Sequence, residues 1–150
     1  LSGLNNLNYL YLRNNGLSDL DPLSNLNNLV GLYLDTNNIS DLSALSGLDL
    51  NSLTLGENNI SDISSLANLT NLTSLYLNSN NIGEITTVAN FTNLEYLILD
   101  HNSISDISPL YNLTGLSFLN LENNSLNLTS GSDDMSIITH LEDNGVDVEY

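Results

Sequence analysis

Nine residues set the terms for this chain. Leu29–Asn37 reads LVGLYLDTN, and its pattern of Leu, two variable residues, Leu, one variable, Leu, two variable and Asn stands again at Leu7–Asn15, Leu50–Asn58, Leu72–Asn80, Leu94–Asn102 and Leu116–Asn124. The closing asparagines fall at 15, 37, 58, 80, 102 and 124, so the intervals are 22, 21, 22, 22 and 22 residues. The short interval has a visible source: Leu48-Asp49-Leu50 is one residue shorter than Leu26-Asn27-Asn28-Leu29. A fixed period of this length predicts a solenoid. One unit cannot bury its apolar face alone, whereas stacked units share a continuous core.

Inside a unit, Leu32-Tyr33-Leu34 and its equivalents alternate with period 2 and predict a short strand; successive strands would stack in parallel. The inward residues of the second unit are Leu26, Leu29, Leu32, Leu34, Ile39, Leu42 and Leu45. Each contributes roughly 1.5–3 kcal/mol when buried, which offsets the ordering cost only when neighbours cover both sides. Where the strand ends, the chain turns inward and buries backbone groups that lack strand partners. An Asn amide offers both donor and acceptor there, so Asn15, Asn37, Asn58, Asn80, Asn102 and Asn124 are expected to form a structural ladder. The column Asp19, Asp41, Asp62, Glu84 and Asp106 also keeps its register. Stacked carboxylates suit Ca²⁺, but Ser-Asp ahead of a short return segment more simply accepts bonds from backbone N–H groups. No D-x-D-x-D-G loop is present, and no metal is expected.

The tails sharpen the pattern. Asn37-Asn38-Ile39-Ser40-Asp41-Leu42-Ser43-Ala44-Leu45 recurs at Asn58–Leu66 and at Asn102–Leu110. Over about residues 1–128 the chain resembles the leucine-rich-repeat family, in the 22-residue subtype of bacterial internalins and SDS22-like regulatory proteins. The resemblance implies an α/β fold: a right-handed leucine-rich-repeat solenoid with a curved parallel sheet on the concave side and 3₁₀ or irregular returns on the convex side. It says less about function, because one fold hosts many.

After Leu128 the repeats stop. Ser132-Asp133-Asp134 reads as an N-cap with acids in the first helical turn. Met135, Ile137, Ile138 and Leu141 supply an apolar face, and Asn144-Gly145 ends the helix. The expected division is repeats at 1–128 and a cap at 129–150, with a helix at about 133–143 and an edge strand at about 146–150. This ending resembles the C-terminal cap of bacterial and archaeal leucine-rich-repeat domains, and its charges would discourage further strand pairing. At the other end Leu1-Ser2-Gly3-Leu4 matches Leu45-Ser46-Gly47-Leu48. The chain is therefore expected to begin inside a preceding repeat, as a fragment or processed chain, and a further domain could follow its cap.

Composition narrows the partners. The formal charge is −17, and Arg13 is the sole basic side chain besides two histidines. Such a surface repels phosphate backbones and anionic membrane surfaces, so neither nucleic acid nor membrane insertion is expected. With one cation for eighteen carboxylates, screening by salt should relieve self-repulsion. A salt-rich habitat and an acidic protein without salt adaptation both fit. Without cysteines, disulfides and thiolate metal sites are excluded. No apolar run approaches a membrane span, and no leader pattern is present.

Catalytic motifs are absent: there is no GxSxG, HExxH or phosphate loop, and no cofactor is expected. His140 falls on the expected surface of the cap helix. Asp100-His101 invites a triad reading, but neighbouring strand residues point opposite ways and no nucleophile is implied. Binding is better supported. Six of the nine aromatic residues, Tyr9, Tyr11, Tyr33, Tyr76, Tyr96 and Phe118, fall at outward strand positions of the concave face. Ile98 joins them, and Asp35, Asp100 and Glu122 flank them. Tyrosine combines contact area with a polar tip, which makes these ten residues the candidate partner site. Cross-strand stacking of Tyr11 on Tyr33 and of Tyr96 toward Phe118 would instead stabilise the sheet itself.

Eight Asn-x-Ser/Thr triplets occur, at Asn38, Asn59, Asn68, Asn71, Asn90, Asn112, Asn123 and Asn127. Asn-rich repeats create such triplets by composition, but Asn68, Asn90 and Asn112 share one outer position and are the candidates for glycosylation. The resulting expectation is a non-catalytic module that binds a protein or glycan at a bacterial or archaeal cell surface. The alternatives are an assembly of copies of itself as a surface or filament coat, and an intracellular phosphatase-regulating scaffold of the SDS22-like kind.

Overall fold

The computed structural model describes residues 3, 4 and 6–150. The comparison of Leu1-Ser2 with Leu45-Ser46 lies outside them. Each repeat contributes one three-residue strand: β1 Tyr9–Tyr11, β2 Gly31–Tyr33, β3 Ser52–Thr54, β4 Ser74–Tyr76, β5 Tyr96–Ile98 and β6 Phe118–Asn120. After helix α1, Asp133–Asp143, strand β7, Asp147–Glu149, completes the sheet. The seven strands are parallel and lie in chain order, so every connection is a return to the next position along one open sheet.

Register is kept throughout. Tyr11, Tyr33, Thr54, Tyr76, Ile98, Asn120 and Glu149 form one continuous row across the sheet. The 21-residue unit does not disturb it. In the longer units a turn bond such as Leu72 N–H to the Leu69 carbonyl precedes the strand; in the short one the chain passes from the Leu48 N–H to Leu45 carbonyl bond directly to β3. The missing residue is thus absorbed in the return.

The returns carry short 3₁₀ segments at Asp21–Leu23, Ser43–Leu45, Ser64–Leu66, Thr86–Asn90 and Ser108–Leu110. Between them and the sheet lies the core. All seven inward residues of the second unit are buried, as are their counterparts in the third, fourth and fifth. Phe91 takes the place of the leucines at 48, 69 and 113 and is fully buried. Leu7, Leu10, Leu12 and Leu17 of the first coil are only partly buried.

The ladder asparagines bind coil to coil. The Asn58 amide donates to the carbonyls of Leu34, Leu55 and Gly56 at 3.0–3.1 Å, and its oxygen accepts the Ile39 N–H at 3.0 Å. Asn37, Asn80, Asn102 and Asn124 repeat the arrangement, each spanning its own coil and the one before. Asn15, in the first coil, is exposed, and among the described residues its amide donates only to the Arg13 carbonyl. The acidic column closes a turn in each coil. Asp19, Asp41, Asp62, Glu84 and Asp106 accept the N–H two residues on at 2.8–3.0 Å. Among the described residues no cluster of three or more His, Asp or Glu could hold a metal ion.

The cap covers the last coil. Ser132 caps α1 by accepting the Met135 N–H, and Ile138 and Leu141 are buried against the repeats. Asp134 is also buried, and its carboxylate accepts the Asn127 N–H at 2.8 Å. His140 differs from the sequence expectation. It is half-buried, with its ring stacked on Tyr111 at 4.1 Å, because the helix lies against the Ser108–Leu110 return.

Candidate binding face of the sheet

Alternation along each strand sends one residue in two into the core and the other onto the open face of the sheet. That face is therefore a grid of three rows. The first holds Tyr9, Gly31, Ser52, Ser74, Tyr96, Phe118 and Asp147. The second is the row from Tyr11 to Glu149 described above. The third lies just past the strands, where Arg13, Asp35, Gly56, Asn78, Asp100 and Glu122 occupy equivalent positions.

Large side chains fill only part of the grid. Tyr11 and Tyr33 stack with centroids 4.4 Å apart and planes 2° from parallel. Partial desolvation by the neighbouring groups first, and then the Tyr33 and Tyr9 hydroxyls, hold the Tyr11 hydroxyl above its ordinary pKa. Tyr9 leans across β2: a Cβ added at Gly31 would meet its ring at 2.7 Å. Gly31 is therefore glycine because Tyr9 and the Tyr33 hydroxyl occupy its side-chain space. Among the described residues Tyr96 and Phe118 form no ring stack, although their strands pair in register, so only one of the two expected stacks is present. Tyr9, Tyr11, Tyr76 and Tyr96 are exposed, at 54, 68, 36 and 42%. Ile98, Phe118 and Asp100 are half-buried and Glu122 is exposed.

Strand β3 is bare. Thr54 and Gly56 are buried even though they face outward. They floor a depression of about 370 Å³ between Tyr33 on β2 and Tyr76 on β4, with Arg13 and Glu57 also lining it and the Asn78 amide laid over Gly56, 2.5 Å from where a Cβ would stand. Asp35 holds this floor together by accepting the Thr54 hydroxyl at 2.5 Å and the Gly56 N–H at 3.0 Å. The acid is thus bound across the β2–β3 junction as well as lining the hollow. Sequence reasoning places all five on the concave face but takes only Tyr33, Asp35 and Tyr76, not Thr54 and Gly56, as candidates for the partner site. Side-chain size compared across each row of the grid is the signal that finds them. A second, more polar hollow of about 500 Å³ lies at the opposite ends of the strands, lined by Asn6, Asn8, Asn27, Asp49 and Asn51 among others.

Past each of β1 to β6, one residue that is not glycine takes a left-handed conformation: Asn14, Thr36, Glu57, Ser79, His101 and Asn123, all with φ of 54–57°. This corrects the sequence reading of Asp100 and His101. The strand has ended there, and the left-handed turn brings the imidazole back to its neighbour, Nδ1 to Oδ2 at 2.8 Å. The pair is the one ion-pair contact among the described residues. Asn68, Asn90 and Asn112 lie exposed along the return side, away from the open face.

This geometry is shared with proteins of known structure. The family description "leucine-rich repeats (two copies)" matches residues 5–47, 49–90 and 92–132. An internalin from Listeria monocytogenes is 34% identical with a TM-score of 0.76, over 99% of this chain and 48% of that one. Internalin C2 from the same organism is 30% identical with a TM-score of 0.70, over 94% of this chain and 69% of that one. A leucine-rich-repeat protein from Leptospira interrogans, at 21% identity and a TM-score of 0.63 over 85% of this chain and 38% of that one, shares the fold. The chain spans about half the length of the first of these. None of the curated proteins matches it in sequence. In sequence and architecture alike, the chain belongs to the leucine-rich-repeat family, in its internalin-like form.

Proposed function

We propose that the chain is a non-catalytic interaction module that binds a protein partner at a cell surface through the open, Tyr-rich face of its sheet. One observation carries the reading. Four exposed tyrosines gather on this single face, and one of them, Tyr76, lines a hollow together with the half-buried Tyr33. Aromatics of this kind dominate interface energetics, and large contiguous apolar surface on a soluble protein marks a binding site. The internalin-like fold supports an interaction role. Among the described residues no helix is long and apolar enough to cross a membrane.

The double variant Tyr33→Ala/Tyr76→Ala tests the face. Both side chains stand on the sheet rather than in the core, so the urea midpoint should stay within a few tenths of a molar of the parent. Affinity for a protein captured from cell-surface extracts should fall at least tenfold. Unchanged affinity would move the site elsewhere, and a sedimentation mass that rises with concentration would make copies of the chain itself the partner. Surface location has a separate readout. Excess mass on the peptides bearing Asn68, Asn90 and Asn112, in protein from its natural source, would place the chain outside the cell.

A further inference from the structure

The hollow over β3 has a shape and a charge that select its occupant. Neighbouring strands lie about 4.7–4.9 Å apart, and the Tyr11 and Tyr33 rings are parallel at 4.4 Å. The two rings therefore stand face to face along the direction that runs from strand to strand. The second face of Tyr33 is turned toward β3, where the in-register residue is the buried Thr54; the next outward position, Gly56, lies under the Asn78 amide, which closes that end of the slot. Tyr76 stands in register on the far side. The hollow between them is a slot no wider than two strand spacings, roughly 9.5 Å, with a volume of about 370 Å³. A flat group enters such a slot; a helix or a folded strand does not.

Charge decides between flat groups. Asp35 and Glu57 line the slot in a chain of net charge −17. The Thr54 hydroxyl and Gly56 N–H fix the Asp35 carboxylate in place. The chain's own guanidinium belongs to Arg13, which also lines the slot and forms no ion pair among the described residues. We propose that the slot between Tyr33 and Tyr76 receives an arginine side chain of the protein partner, its guanidinium stacked on the free face of Tyr33 and directed at Asp35 and Glu57. Arginine is planar, stacks on aromatic rings and is less strongly hydrated than lysine. The proposal rests on the open-face reading above and specifies what that face recognises.

A random peptide library displayed on phage and selected on the folded chain at low salt tests both. Selected peptides should be enriched in arginine. Replacing that arginine by citrulline, which is flat but uncharged, should weaken binding at least tenfold, and lysine by a smaller factor. Tyr33→Phe should keep affinity within about twofold while Tyr33→Ala loses about tenfold, because the ring face and not the hydroxyl makes the contact. Arg13→Gln should strengthen binding. Peptides that depend on Tyr33 and Tyr76 yet bind equally well with citrulline would overturn the arginine slot and leave the open-face reading standing. Peptides indifferent to Tyr33→Ala/Tyr76→Ala would overturn both, and a neutral oligosaccharide that displaces the peptides from the slot would overturn the protein partner. Tyr33→Phe and citrulline leave the fold untouched, so the outcome does not hinge on the alanine variants folding.

Discussion

A single amide does different work at equivalent positions. Asn58 is buried and serves four backbone groups of two coils, whereas Asn15 is exposed and its amide serves one among the described residues. Asn58→Ala leaves the buried Ile39 N–H without its acceptor, while the three carbonyls keep the Asn37 and Asn80 amides and the Thr36 N–H; it should cost about 1–3 kcal/mol, and Asn15→Ala less than about 1. Urea unfolding of the two variants measures the difference. Thr36 is the β-branched member of the left-handed series, at φ 57°. Asparagine tolerates that conformation better, so Thr36→Asn should raise stability by about 0.5–1 kcal/mol. The two series were not equally legible. The ladder could be read because its role demands one chemistry, a donor and an acceptor on a short arm. The left-handed residues Asn14, Thr36, Glu57, Ser79, His101 and Asn123 have no chemistry in common. The bonds on either side impose their conformation, so nothing in their identity announces it.

Turns and caps decide how each element ends. Backbone and side-chain bonds from Ser43 and Ser64 hold the Asp41 and Asp62 carboxyls below their ordinary pKa, and side-chain and backbone bonds from Ser108 do the same for Asp106. A carboxyl with a depressed folded value contributes stability above its unfolded pKa, near 3.9, and loses it as pH falls through the folded value. The stability difference between the parent chain and Asp62→Ala should therefore be full at pH 6 and shrink below about pH 4. Urea midpoints taken from pH 6 to pH 3 check this, and a constant difference would separate the turn from proton binding. At the C-terminus, Ser132→Ala removes the bond to Met135 N–H and should cost about 1 kcal/mol, read as loss of amide protection in α1. Strand positions, returns and the cap were legible because each is written in periodicity or in end signals. The hollow was not, since it depends on the small side chain of Thr54 and on the Asn78 amide lying over Gly56, and neither shows until the strands are laid side by side.

Across the whole molecule, local contacts between neighbouring coils replace a single centre. Seventeen of the eighteen carboxylates, all but the buried Asp134, share the surface with one basic side chain. Their repulsion falls as the screening length shortens from about 10 Å at 0.1 M salt to about 3 Å at 1 M. The thermal midpoint should accordingly rise between 0.05 and 1 M sodium chloride, with the sulfate salt held out because it acts on burial as well. Hydrogen exchange should be fastest in the first coil, where the leucines are half-covered, and slowest in the middle coils. The short third unit carries a consequence of its own. A residue is missing from its return, yet Gly31 still faces Ser52 and Tyr33 still faces Thr54. Length changes are spent on one side of the molecule and leave the other in step. A gene built this way can gain, lose or exchange whole units by recombination, with every junction already compatible. Recognition can then drift one outward residue at a time while the scaffold beneath it is inherited intact.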